Sequence, residues 1–95
     1  MQGKGVSRDD KKALVWIRLA ADQGLHDAQY FLGLTYEHGN GVSQDFIQAH
    51  KWDNLAGING LEIAEKDCDA LAKQMTPDQI AEAQKLAGEW KPNGK

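Results

Sequence analysis

Ninety-five residues, 41% of them hydrophobic and 26% charged, describe one small domain able to bury a single thin core. The net charge of −3 is uneven: residues 1–24 hold five basic and three acidic groups (net +2), residues 25–75 hold three and eight (net −5), and residues 76–95 hold three and three. There is no basic stripe of the kind nucleic acid requires, no run of about 18 apolar residues to cross a membrane, and no apolar signal stretch after Met1–Val6.

Two prolines and widely spaced glycine clusters favour helices over a turn-rich sheet. The spacing predicts a first helix over about 10–23, with Asp9 as its cap and Ala13, Trp16 and Ala20 on one side. Gly24 falls where a left-handed cap would end it. A second helix is expected over about 27–38, with Asp27 as a candidate cap and Ala28, Phe31, Leu32, Thr35 and Tyr36 as its buried stripe. Gly39 and Gly41 mark a turn. The third helix, about 46–59, follows the cap residue Asp45, carries Ala49, Trp52 and Ala56, and stops at Gly60. The fourth, about 62–74, has Ala64, Cys68, Leu71 and Met75 along one side. Thr76-Pro77-Asp78-Gln79 reads as a capping box with proline at the first helical position. It opens a fifth helix, 77 to about 90, with Ile80, Ala83, Leu86, Ala87 and Trp90 facing inward.

Sliding the sequence on itself by 36 residues aligns Gly3 with Gly39, Asp9 with Asp45, Ala13 with Ala49, Trp16 with Trp52, Ala20 with Ala56, Gly24 with Gly60 and Ala28 with Ala64. With Gly5, Val6, Ser7, Leu19 and Leu25 this gives 12 identities over 26 ungapped positions. The chain is therefore a repeat protein. Small residues one turn either side of a large ring let another helix approach while the indole fills the gap, which places Trp16 and Trp52 in the core. After Ala64 the pattern decays: Leu32 becomes Cys68, Gly33 becomes Asp69 and Tyr36 becomes Ala72. The fifth helix then serves as an atypical terminal unit covering the last apolar face.

The unit Ala28-x-x-x-Leu32-Gly33-x-x-Tyr36-x-x-Gly39-x-Gly41-Val42-x-x-Asp45-x-x-x-Ala49-x-x-Trp52, closed by Ala56 and Gly60, resembles the Sel-one-like repeat, a relative of the tetratricopeptide repeat. The ending from Met75 through Trp90 is similar to the terminal helix of many bacterial members. The resemblance implies an all-α fold, an α/α superhelix or solenoid of about five helices with a 36-residue period, acting as an adaptor for a protein or peptide. It divides the chain into 3–24 (second half of an incomplete repeat), 25–60 (a complete repeat), 61–75 (a degenerate repeat helix), 76–91 (a capping helix) and 92–95 (a tail). An incomplete first repeat leaves the first helix with an unpartnered edge, expected at Leu14 and Ile17, through which a homodimer or domain exchange is the alternative reading. A single Cys68 sets the chain apart from cysteine-rich secreted members and leaves cytoplasm or periplasm open.

By analogy with related helix pairs, Asp27, Tyr30, Leu34, Glu37 and His38 form a second stripe on the second helix, a candidate groove for a partner. Lys66 and Lys73 add basic groups from the fourth helix. The competing reading makes Tyr30 and Leu34 core residues against that helix. His26, His38 and His50 lack ligand spacing, so no metal is expected. Glu37 and His38 are helix neighbours that point about 100° apart. Cys68 stands where Leu32 is buried and reads as an inert thiol. Gly39-Asn40-Gly41 lacks the residues of a phosphate loop. No motif supports catalysis, and no cofactor is called for.

Overall fold

The computed structural model describes residues 8–92, with side chains from Lys11 onward. Five helices follow in order: α1 (Arg8–Asp22), α2 (His26–His38), α3 (Phe46–Ile58), α4 (Glu62–Ala72) and α5 (Pro77–Glu89). No strand occurs among the described residues. The chain is an all-α solenoid of helix pairs, as the 36-residue period implies.

The period is visible in the hydrogen bonds that end the helices. Leu25 N–H donates to the Ala20 carbonyl and Gly24 N–H to Ala21, at 3.2 and 3.0 Å. Thirty-six residues on, Leu61 N–H donates to Ala56 and Gly60 N–H to Gly57, at 3.1 and 2.9 Å. Both are the paired bonds of a left-handed helix ending, and Gly24 and Gly60 supply the φ of +98° and +102°. Asp45 caps α3 by accepting from Gln48 N–H at 3.1 Å. Thr76 and Gln79 exchange both bonds of a capping box at the start of α5. Gly3 and Gly5 and the Asp9 side chain lie outside the described residues. Asp27 is not a cap: Leu25 occupies that position without a side-chain bond, and Asp27 sits in the first turn, where its charge favours the helix dipole.

Helix α3 is the centre of the fold. It packs against α2, α4 and α5, while α1 packs against α2. Most of its circumference is buried, including Ala49, His50, Trp52, Asp53, Leu55 and Ala56, and only the side of Lys51, Asn54 and Ile58 stays open. One core cluster joins Ala21, Leu32, Trp52, Leu55 and Ala87. A second joins Ala49, Leu71, Met75 and Ala83, and Tyr36 packs against both.

Three expectations about burial are overturned. Trp16 is 69% exposed whereas Trp52 is 4% exposed, although both lie in the same repeat context. Trp52 is covered by Leu32 of α2 and by α5; among the described residues nothing occupies the equivalent places around Trp16. The exposed edge of α1 consists of Val15, Trp16 and Leu19, while Leu14 and Ile17 turn inward onto the first cluster. On α2, Phe31 is 51% exposed, while Leu32 and Thr35 of the expected stripe are buried and are joined by Gln29 and Gly33. The cause is Gly33, which has no side chain and lets α3 come close on that side.

Candidate functional site

Tyr30, Leu34 and Glu37 recur at i, i+4 and i+7 on α2, away from the buried arc, and all three are half-buried. The Tyr30 hydroxyl donates to Asp67 Oδ2 on α4 at 2.8 Å. This bond ties α2 to α4 across the face where the groove was expected. Burial, then the hydrogen bond to Asp67 and its charge, push Tyr30 up to about 12, so the phenol remains a donor at all physiological pH.

Helix α3 contributes a group that motif reasoning missed. Asp53 is completely buried, and neither carboxylate oxygen has a hydrogen-bond partner. It lies against Gly33, where an added Cβ would collide with its carboxylate. Desolvation lifts Asp53 to about 8, and the charges of Asp67 and Glu37 add to the shift. It is therefore a neutral acid near pH 7. The sequence does hold a signal for it: in the 36-residue register Asp53 aligns with Ile17, an apolar core residue replaced by a carboxyl.

Tyr30, Glu37, Asp53 and Asp67 thus share one neighbourhood, each bearing on the ionisation of Tyr30 or Asp53. The other residues expected in the groove are less engaged. Asp27 and His38 stand exposed at the two ends of α2, Lys66 is exposed on α4, and Lys73 is exposed just past its end. They lie about 100° and more around the α4 axis from Asp67. Tyr30 and Leu34 are neither free nor core: the face is half-covered and bridged.

The remaining reactive groups are quiet. The Cys68 thiol is pushed up to about 12 by burial first and by Asp53 and Asp69 after it, and it contacts the backbone carbonyl of His50 at 3.8 Å. Burial lowers His50, against the opposing pull of Asp69. Neither geometry is that of a nucleophile and its base. Among the described residues no group of three or more His, Cys, Asp or Glu side chains is placed to hold a metal ion. Among the described residues no helix is long and apolar enough to cross a membrane.

Comparison with known proteins agrees with the geometry. Residues 1–25 and 26–61 each match the Sel1 repeat. The chain is 37% identical over 71 residues to chitin synthase regulatory factor 3 of Schizosaccharomyces pombe, covering 73% of this chain and 8% of that protein. It is 40% identical over 52 residues to the chitin synthase regulator SKT5 of Saccharomyces cerevisiae, covering 55% and 8%. The chain therefore spans less than a tenth of these relatives. It superposes with a TM-score of 0.82 and 37% identity on the crystal structure of a protective antigen present in uropathogenic Escherichia coli strains displaying an SLR fold, over 94% of this chain and 19% of that one.

Proposed function

We propose, because this chain belongs to the Sel1 repeat family, that it is a non-enzymatic scaffold seating a protein or peptide segment on the face formed by α2 and α4. Sel1 repeats serve generally in protein–protein interaction, and the two fungal relatives are regulators of chitin synthase. The observation that carries the reading here is the Tyr30–Asp67 bridge, which fixes Tyr30 beside the half-buried Leu34 and Glu37. Rigid aromatic and aliphatic side chains beside carboxylates suit an extended or helical partner.

A photo-crosslinking residue at Leu34, compared with one at the exposed Glu82 on α5, tests this in cells of the source organism. A discrete adduct from position 34 alone, lost with Tyr30→Ala, is the expected result. Equal labelling from both positions would remove the α2–α4 face from consideration.

A second reading has its own observation. Val15, Trp16 and Leu19 make an exposed apolar ridge on α1, with Trp16 at 69% exposure, and such ridges favour association. Light scattering with size exclusion over a wide concentration range separates the two readings. Self-association through this ridge predicts a mass that rises with concentration and a monomer for Trp16→Lys; a monomer throughout sinks it.

A further inference from the structure

We propose that the α2–α4 face receives a positively charged side chain of the bound segment, arginine or lysine, held by Glu37 and Asp67 beside the Tyr30 phenol, with the unpartnered carboxyl of Asp53 behind them. The inference rests on the scaffold reading and adds the chemistry of what is recognised.

Three observations converge. First, Glu37 of α2 and Asp67 of α4 stand half-buried on the face with Asp53 of α3 buried beneath it, and among the described residues no lysine or arginine forms an ion pair with any of the three. Secondly, Asp53 is wholly buried and both its oxygens lack partners. An unsatisfied buried carboxyl is costly, and packing does not call for it, because the same position in the preceding unit is Ile17. Thirdly, Asp67 already has a rigid donor in Tyr30, leaving its other oxygen for a second hydrogen bond. A guanidinium offers several donors in a planar fork and pairs readily with carboxylates. With no metal-holding cluster among the described residues, an organic cation is the ligand class that fits. Lys66 on α4 and Lys73 at its C-terminal end, both exposed, repel a second positive group and favour a segment with spaced charges rather than a continuous basic run.

A cation placed there favours the ionised form of Asp53, so binding near neutral pH releases a proton. The groups facing Asp53 are Tyr30 and Glu37 from α2 and Asp67 and Cys68 from α4.

The test is an amide NMR titration of the full chain with three labelled peptides: repeating Arg-Ala-Ala, Gln-Ala-Ala and Glu-Ala-Ala. Calorimetry of the arginine peptide in two buffers of different ionisation heat follows. Saturable shifts at Tyr30, Leu34, Glu37 and Asp67 with the arginine peptide, about tenfold tighter than with glutamine, are expected. Glu37→Gln and Asp67→Asn each weaken it about tenfold; Gln84→Ala on α5 does not. Asp53→Asn, which replaces a neutral acid by a neutral amide, abolishes the proton release. If the glutamine or glutamate peptide binds this face as tightly as the arginine one, the cation inference is wrong and the scaffold reading stands. If every peptide shifts only residues elsewhere, or none gives a saturable shift, both fall.

Discussion

The Trp52 and Trp90 rings meet edge to face, at an interplanar angle of 75° with centroids 6.2 Å apart. This contact fastens the end of α5 to the central helix, and Lys51 Nζ lies 4.4 Å from the same indole. Trp52 is 4% exposed and sits in the larger core cluster. Trp52→Ala is expected to cost about 3–5 kcal/mol, a large share of the stability of a domain this size. Trp16, its partner in the repeat, is 69% exposed, so Trp16→Ala should change stability by less than about 1 kcal/mol. Urea unfolding of the two variants compares them directly. Similar losses for both would mean that Trp16 is covered in solution.

Gly33 and Asp53 are a coupled pair. A Cβ on Gly33 would strike the Asp53 carboxylate and stand 3.2 Å from the Ala49 carbonyl oxygen. Gly33→Ala should therefore destabilise by about 1–3 kcal/mol despite the better helix propensity of alanine. Shortening the facing residue should recover part of that loss, so Gly33→Ala with Asp53→Ala should be less destabilised than the sum of the single changes. A double-mutant cycle with a coupling of zero would show that the two side chains do not meet.

Asp53 should also leave a mark on the pH dependence of stability. Its folded value of about 8 lies above that of an unfolded aspartate, about 4, so between these pH values the folded chain holds a proton that the unfolded chain has released. Its contribution is complete below about pH 4 and is lost as pH rises through about 8, on the order of a few kcal/mol over the window. His50, lowered by burial, acts oppositely and only below the ordinary histidine value. Stability should therefore fall between about pH 6.5 and 8, where Asp53 acts alone of the two, and the Asp53 slope should level off above that. Asp53→Asn should flatten that slope. An unchanged slope in the variant would place the titration elsewhere.

The solenoid was legible because glycine turns, caps and the Trp-Ala spacing are local: each residue's role at Gly24, Asp45, Gly60 or Thr76 depends on its own few neighbours. What failed was burial that depends on partners. Trp16 and Trp52 share the same Ala-x-x-Trp-x-x-Leu-Ala spacing, and the helices around them decide that one is core and the other bare. Phe31 fitted a helical stripe, but the close approach of α3 at Gly33 turned the helix the other way. Of the candidate site, Tyr30 and Glu37 followed from periodicity. Asp67 and Asp53 did not, because their meeting is a product of packing three helices; the mismatch of Asp53 with Ile17 was the one mark it left in the sequence.

Cys68 offers a probe of how this packing opens. It is buried, and its thiol is held up to about 12 by desolvation together with Asp53 and Asp69. Only the thiolate attacks a disulfide reagent, so at pH 8 the folded chain presents a thiol that is only 9% exposed and in the wrong protonation state. Labelling by an aromatic disulfide should then proceed through opening of the α3–α4 seam, at a rate that rises steeply with urea. Trp52→Ala, which loosens α3, should accelerate it in proportion to the stability lost, while Trp16→Ala should leave it near the parent rate. If Cys68 in the parent protein reacts at the rate of a free thiol without urea, the α3–α4 seam is open in the native state.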